Sequence, residues 1–135
     1  DPYIKNQSTE RLPAQTGFET HAKIELPIAV DRYPQSRYSL VTAHPVTGRR
    51  HQIRKHLKHI NHPIIGDSTY GKGVHNRMIA ERFGVDRMLL HAYRLGFEHP
   101  FTHEWVTIEA GLDEAWRSLI EQWQWKAAYE SILQK

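Results

Sequence analysis

The sequence predicts an α+β fold in which a mixed, largely antiparallel sheet carries packed helices. Two periodicities point there: apolar residues alternate with polar ones between Phe18 and Leu26, and recur at helical spacing between Arg50 and Ile60. The element order, strand, strand, helix, helix, strand, strand, helix, also lacks the regular strand–helix alternation of a doubly wound parallel sheet. A chain of 135 residues with 39% hydrophobic residues is long enough for one compact domain with its own core. The same composition excludes collagen-like and wholly disordered classes, and the absence of Cys excludes a disulfide scaffold. No apolar run approaches the roughly 18 residues of a membrane helix, and no signal core follows the N-terminus, so the cytoplasm is the expected compartment. The chain opens on Asp1 and holds only Met78 and Met88, which suggests a piece of a longer protein.

Residues 1–16 are polar, contain Pro2 and Pro13 and show no periodicity; they read as a flexible tail or linker before a unit over 17–135. Phe18, Ala22, Ile24 and Leu26 then make one face of a half-buried strand that Pro27 stops. Tyr38–His44 reads as a second strand ending at Pro45, and Thr47-Gly48 as a turn. In the helix from about Arg50 to Ile60, Ile53, Leu57 and Ile60 form the stripe expected to be buried. Arg50, Arg54 and Lys58 form the next row, roughly 100° around, so Arg54 lies at the border with solvent. Asn61 and Pro63 end this helix, His62–Gly73 is a loop, and a short helix over His75–Phe83 closes on Gly84. Met88–Phe97 and Trp105–Ala110 read as two further strands. Asp113 is suited to cap one last helix in which Trp116, Ile120, Trp123 and Ala127 share a face.

Residues 32–66 hold seven of the 18 basic residues and none of the 15 acidic ones: Arg32, Arg37, Arg49, Arg50, Arg54, Lys55 and Lys58. Five of the ten histidines (His44, His51, His56, His59, His62) fall there as well. A basic segment on an acidic background is the footprint of a polyanion-facing surface, the alternative being a solvated face. Without acids in the segment, the internal pairing usual for a merely solvated face is not expected. Tyr33 and Tyr38, next to Arg32 and Arg37, could stack on bases or pack a strand edge. The tryptophans Trp116, Trp123 and Trp125 read as core.

Other chemistries find little support. His56, His59 and His62 have metal-like spacing, but with no Cys or carboxylate among them and Arg54, Lys55 and Lys58 interleaved, a divalent cation would be repelled, so no metal is expected. No Ser sits in a GxSxG elbow, and Gly66, Gly71 and Gly73 match neither GxGxxG nor the P-loop.

The run from Thr47 to Gly71, TGRRHQIRKHLKHINHPIIGDSTYG, carries the most information. It resembles the third conserved motif of the RluA-type RNA pseudouridine synthases: a Thr-Gly-Arg turn, His-Gln-Ile/Leu-Arg entering a helix, His-Pro-Ile-x-Gly-Asp, then Tyr-Gly. LHAYRLGFEHPFT, from Leu90 to Thr102, resembles the closing strand of that family. Asn61 stands where many members have Gly. RYPQSRYSLV from Arg32, the extra Arg50, Lys55 and Lys58, and His75-Asn76-Arg77 resemble the branch that acts on uridine-65 of tRNA.

The resemblance covers about residues 17–125 and implies the C-terminal half of a pseudouridine synthase catalytic domain. It implies tRNA as partner, no cofactor, no membrane, and a complete enzyme that is monomeric. The upstream His-Arg-Leu-Asp motif with the nucleophilic Asp, and the Tyr that stacks on the target uracil, are not found here, so the chain needs an N-terminal half and is expected to be inactive alone. Arg54 matches the basic residue that holds the nucleophilic carboxylate in its charged form, a phosphate contact being the alternative role, and Ile53 matches the apolar residue packed against the base. Arg54 should then lack its partner in this chain. Arg49, Arg50, Lys55 and Lys58, with Arg32 and Arg37, are the expected RNA contacts. Gly48, His51, Gln52, Gly66 and Asp67 are expected to shape the motif. A different class also fits the residues, a non-catalytic RNA-binding module that carries the same motif.

Overall fold

The structure, a computed structural model, describes residues 14–135. The tail expected over 1–16 lies mostly outside them, but its end does not: Gln15 is hydrogen-bonded and Thr16 begins the first strand. Strand β1 (Thr16–Leu26) pairs antiparallel with β2 (Ser36–Pro45), from Thr16 opposite Pro45 to Leu26 opposite Ser36. Helices α1 (Gln52–His59) and α2 (Gly73–Phe83) follow. A second antiparallel pair, β3 (Arg94–Glu98) with β4 (Trp105–Glu109), precedes α3 (Glu114–Gln122) and α4 (Lys126–Leu133). This is the α+β class expected, but the described strands form two separate two-stranded antiparallel sheets instead of one mixed sheet. Among the described residues no helix is long and apolar enough to cross a membrane.

The core lies between the β1–β2 hairpin and helices α2, α3 and α4, with Leu26, Leu40, Ile79, Val85, Leu119, Ile120, Trp123, Trp125 and Ile132 buried in it. Trp123 stacks on Tyr38 (centroids 5.3 Å apart, planes 19°) and meets Phe83 and Trp125 edge-on. Tyr38 is therefore a core residue, its hydroxyl 2.6 Å from Nδ1 of His75 and its pKa pushed up to about 12 by burial. Of the two tyrosines considered for RNA contact, only Tyr33 is exposed, at 55%.

Four departures from the sequence expectation have local causes. A β-bulge between Thr20 and Ala22 adds a residue to β1 and reverses the alternation before it, so Phe18 lies opposite Ala43 on the face away from Leu40. The single C-terminal helix is broken at Trp123–Trp125: Gln124 takes φ 58°, Trp125 N–H reaches the Ile120 carbonyl and Gln124 N–H that of Glu121. Two tryptophans two residues apart would point about 200° apart on a continuous helix, and the break lets both be buried while leaving Ala127 outside. The strand expected from Met88 pairs only from Arg94, because Met88–Tyr93 runs past the loop before α2, where Leu89 N–H bonds the Ile65 carbonyl. Finally, α1 starts at Gln52, so Arg50 lies outside its row, and the helix turns Gln52 and His56 inward. Ile53 and Leu57 are half-buried, and Ile60 is 54% exposed.

Asn61 ends α1 with φ 64° in the same C-terminal motif as Gln124, His62 N–H reaching the Leu57 carbonyl and Asn61 N–H that of Lys58. Asn is the side chain that best tolerates this left-handed position after Gly, so its departure from the family pattern keeps the turn.

Candidate functional site

The turn after β2 and the start of α1 are built around one side chain, the buried Gln52. Its Oε1 accepts from the Thr47 hydroxyl (2.6 Å) and the Arg49 N–H (3.1 Å), while Nε2 donates to the Gln15 carbonyl (2.7 Å) and Thr16 Oγ1 (2.9 Å). Both ends of the amide are satisfied, which fastens the helix entry to the start of β1 and the turn after β2 at one end of the pair. His51, at φ 53° and ψ 28°, redirects the chain into α1 without capping it. A Cβ at Gly48 would meet nothing, so the structure shows no steric demand for glycine there.

One turn into α1, Arg54 meets Asp67 in a two-pronged ion pair, Nε to Oδ2 at 2.9 Å and Nη2 to Oδ1 at 2.8 Å. The Asp67 side chain is fully buried and that of Arg54 is 16% exposed. Oδ1 of Asp67 also accepts the backbone N–H groups of Thr69 and Tyr70, each at 3.0 Å. The guanidinium lies over the Tyr70 ring, 5.1 Å from its centroid, and the Tyr70 hydroxyl is 3.1 Å from Nδ1 of His51. Arg54, expected to stand without the nucleophilic carboxylate, is thus not without a carboxylate: Asp67, assigned from sequence only to the motif's shape, pairs with it.

The loop that delivers Asp67 is itself clamped by Asn76 of α2. Asn76 Oδ1 accepts the Gly66 N–H (2.8 Å), and Nδ2 donates to the Asp67 carbonyl (3.2 Å). Gly66 has φ 84°, and a Cβ on it would sit 2.0 Å from the Arg87 carbonyl oxygen, so only glycine fits. A Cβ on Gly71 would sit 2.2 Å from the Asp67 carbonyl oxygen.

The Arg54 hydrogen bonds hold the Asp67 carboxyl well below the ordinary carboxylate range, with burial opposing and the Tyr70 and Thr69 N–H groups assisting. Arg54 is shifted up by the same bonds, and His51 is shifted down by burial first and then by Arg54, Arg50 and Lys55. A carboxyl depressed on folding contributes stability that is present above its unfolded pKa, near 3.8, and lost as pH falls through the folded value. Asp67→Asn is therefore expected to lower the urea midpoint at pH 7, with the gap to the unsubstituted chain shrinking once pH falls below about 4. A gap of equal size at pH 7 and pH 3 would show that the charge of Asp67 is not what stabilises the fold.

A family model described as RNA pseudouridylate synthase matches residues 3–59. The chain is 46% identical over 133 residues to the tRNA pseudouridine synthase C of Vibrio cholerae, an alignment covering 98% of this chain and 53% of that protein. It is 45% identical to the protein of that name from Yersinia pestis (93% of this chain, 48% of the relative) and 48% identical to that from Pasteurella multocida (83% and 46%). The chain belongs to the RNA pseudouridylate synthase family. It spans about half the length of the curated relatives it matches.

Within this chain, the structure gathers some of the sequence-identified residues and separates others. Arg49, Arg50, Ile53, Arg54, Lys55 and Lys58 share one turn and helix, with Gly66 and Asp67 folded against it. Arg50, Lys55 and Lys58 are exposed, and among the described residues none of the three enters an ion pair. Arg32 and Arg37 lie at the opposite end of the hairpin, roughly 25 Å of strand away at the usual rise per residue. There Arg37 pairs across the strands with Glu25, an acid outside the basic segment (2.7 Å), and Arg32 lies over the Tyr33 ring. Two residues of the site escape sequence reasoning: Tyr70 stands inside the motif run with no role of its own, and Asn76 reads only as a feature of the branch.

Proposed function

We propose that this chain is the C-terminal half of a tRNA pseudouridine synthase of the uridine-65 class, supplying part of the RNA surface and the cation of the active site. The Arg54 fork supports this reading most directly. It is a permanent cation, 16% exposed, fixed at the edge of a helix whose outward side carries Lys55 and Lys58, with Arg50 exposed in the turn before it. In the reaction the N1–C1′ bond of uridine breaks, the uracil turns, a C5–C1′ bond forms, and the hydrogen on C5 leaves as a proton while N1 gains one. The isomerisation balances with no cofactor.

The nucleophilic Asp is assigned to the part of the enzyme that carries the His-Arg-Leu-Asp motif, which this sequence does not contain. In a closed pocket around a flipped nucleotide that carboxylate would take up a proton unless a cation held it charged. Arg54 fills that role, with Ile53 of the same helix beside the base. Arg49, Arg50, Lys55 and Lys58 meet the phosphates.

The test is tritium release from tRNA labelled at uridine C5. It compares this chain with a version extended at its N-terminus along its own reading frame. Release by the extended chain alone is the expected result. Release by neither chain favours an RNA-binding module, and release by the short chain places the nucleophile within it; either contradicts the proposal.

A further inference from the structure

The geometry points to Asp67 as the positioning residue of this active site: it grips one edge of the Arg54 guanidinium and, with Tyr70 beneath, aims the other edge at the nucleophile. This rests on the reading of Arg54 given above.

A guanidinium carries five N–H donors in a fixed plane. Asp67 engages Nε and Nη2, the side edge, at 2.9 and 2.8 Å. The terminal edge, formed by Nη1 and the outer hydrogen of Nη2, is outside that grip and can take a second carboxylate end-on. Arg54 can therefore serve two carboxylates at once, one structural and one reactive.

Three features make the grip rigid. Asp67 is 1% exposed, and Oδ1 is fixed by the Thr69 and Tyr70 N–H groups, so the carboxylate cannot turn to follow the arginine. The Gly66–Asp67 backbone is clamped by Asn76 on both sides of the residue. The Tyr70 ring, tied to His51 at 3.1 Å, lies beneath the guanidinium and limits swing out of its plane. A long arginine side chain ordinarily loses rotamer freedom when it meets its target, and here that freedom is already lost before the nucleophile arrives. Since a displacement of about 1 Å in a catalytic group can cost a hundredfold in rate, loosening the grip is expected to appear in kcat.

The experiment measures kcat and KM by tritium release for the N-terminally extended enzyme carrying Asp67→Asn, which keeps the shape and removes the charge. We expect kcat to fall about 10- to 100-fold, with KM for tRNA within about twofold, because Arg50, Lys55 and Lys58 are untouched. Ile79→Val, a core change away from the site, controls for destabilisation and keeps kcat within about twofold. Unchanged kcat in Asp67→Asn, a parallel change in KM, or an equal loss in Ile79→Val would overturn the inference. Should Asp67→Asn fail to fold, Tyr70→Leu reads the same positioning from beneath the guanidinium: a kcat loss at constant KM supports it and unchanged kcat overturns it. Arg54→Met, which removes the cation, separates the two levels. If it keeps full activity, the role given to Arg54 fails; if it loses activity while Asp67→Asn and Tyr70→Leu do not, only the positioning role fails.

Discussion

Arg54→Met in the N-terminally extended enzyme is expected to lower kcat for pseudouridine formation by about a thousandfold, the upper range for removing one preorganised electrostatic group. Methionine keeps the unbranched apolar stem of the side chain but ends near the position of Nε and cannot hold a carboxylate in its charged form. The same change strands the buried Asp67 carboxylate, whose counter-charge is Arg54. Stability must therefore be followed beside rate. The double variant Arg54→Met/Asp67→Asn should regain much of the lost urea resistance while remaining inactive, because it removes the stranded charge without restoring the cation. Recovery of activity along with stability would mean that Arg54 acts only as a structural ion-pair partner.

Replacing Arg50, Lys55 and Lys58 together by Gln should weaken tRNA binding by about a hundredfold near 0.1 M salt. For every phosphate no longer neutralised, the plot of log affinity against log salt should flatten by about 0.7 to 0.9, so the slope shrinks by about 2 to 3 in the triple variant. These side chains are exposed and among the described residues enter no ion pair, so thermal stability should hardly change. Weaker binding with an unaltered salt slope would show that they meet RNA through something other than phosphate charge.

What was legible in the sequence was local. The alternation in Ala22, Ile24 and Leu26, the Asp113 cap and the Gly84 stop each act within a few residues, and each sits in the structure as read. The bulge at His21 and the break at Gln124 were not legible. Both depart from local periodicity: the bulge turns Phe18 outward, and the break buries Trp123 and Trp125 together.

The site divided along the same line. Arg54 stood out by motif and helical position, but its partner lies 13 residues away in a loop whose path depends on Gly66, on Asn76 of the next helix and on the Arg87 carbonyl. No periodicity encodes such a path. The buried inward role of Gln52 was hidden for a similar reason, since its four partners come from a turn and a strand start that only folding brings together.

Arg54 is proposed to serve uridine isomerisation in tRNA. Pseudouridine mapping of tRNA tests it most directly, in cells lacking the gene and re-supplied with either the unsubstituted reading frame or its Arg54→Met form. The modification at uridine-65 is expected to disappear with the gene, return with the unsubstituted frame and not return with Arg54→Met. A pseudouridine pattern untouched by loss of the gene, or fully restored by Arg54→Met, would contradict it.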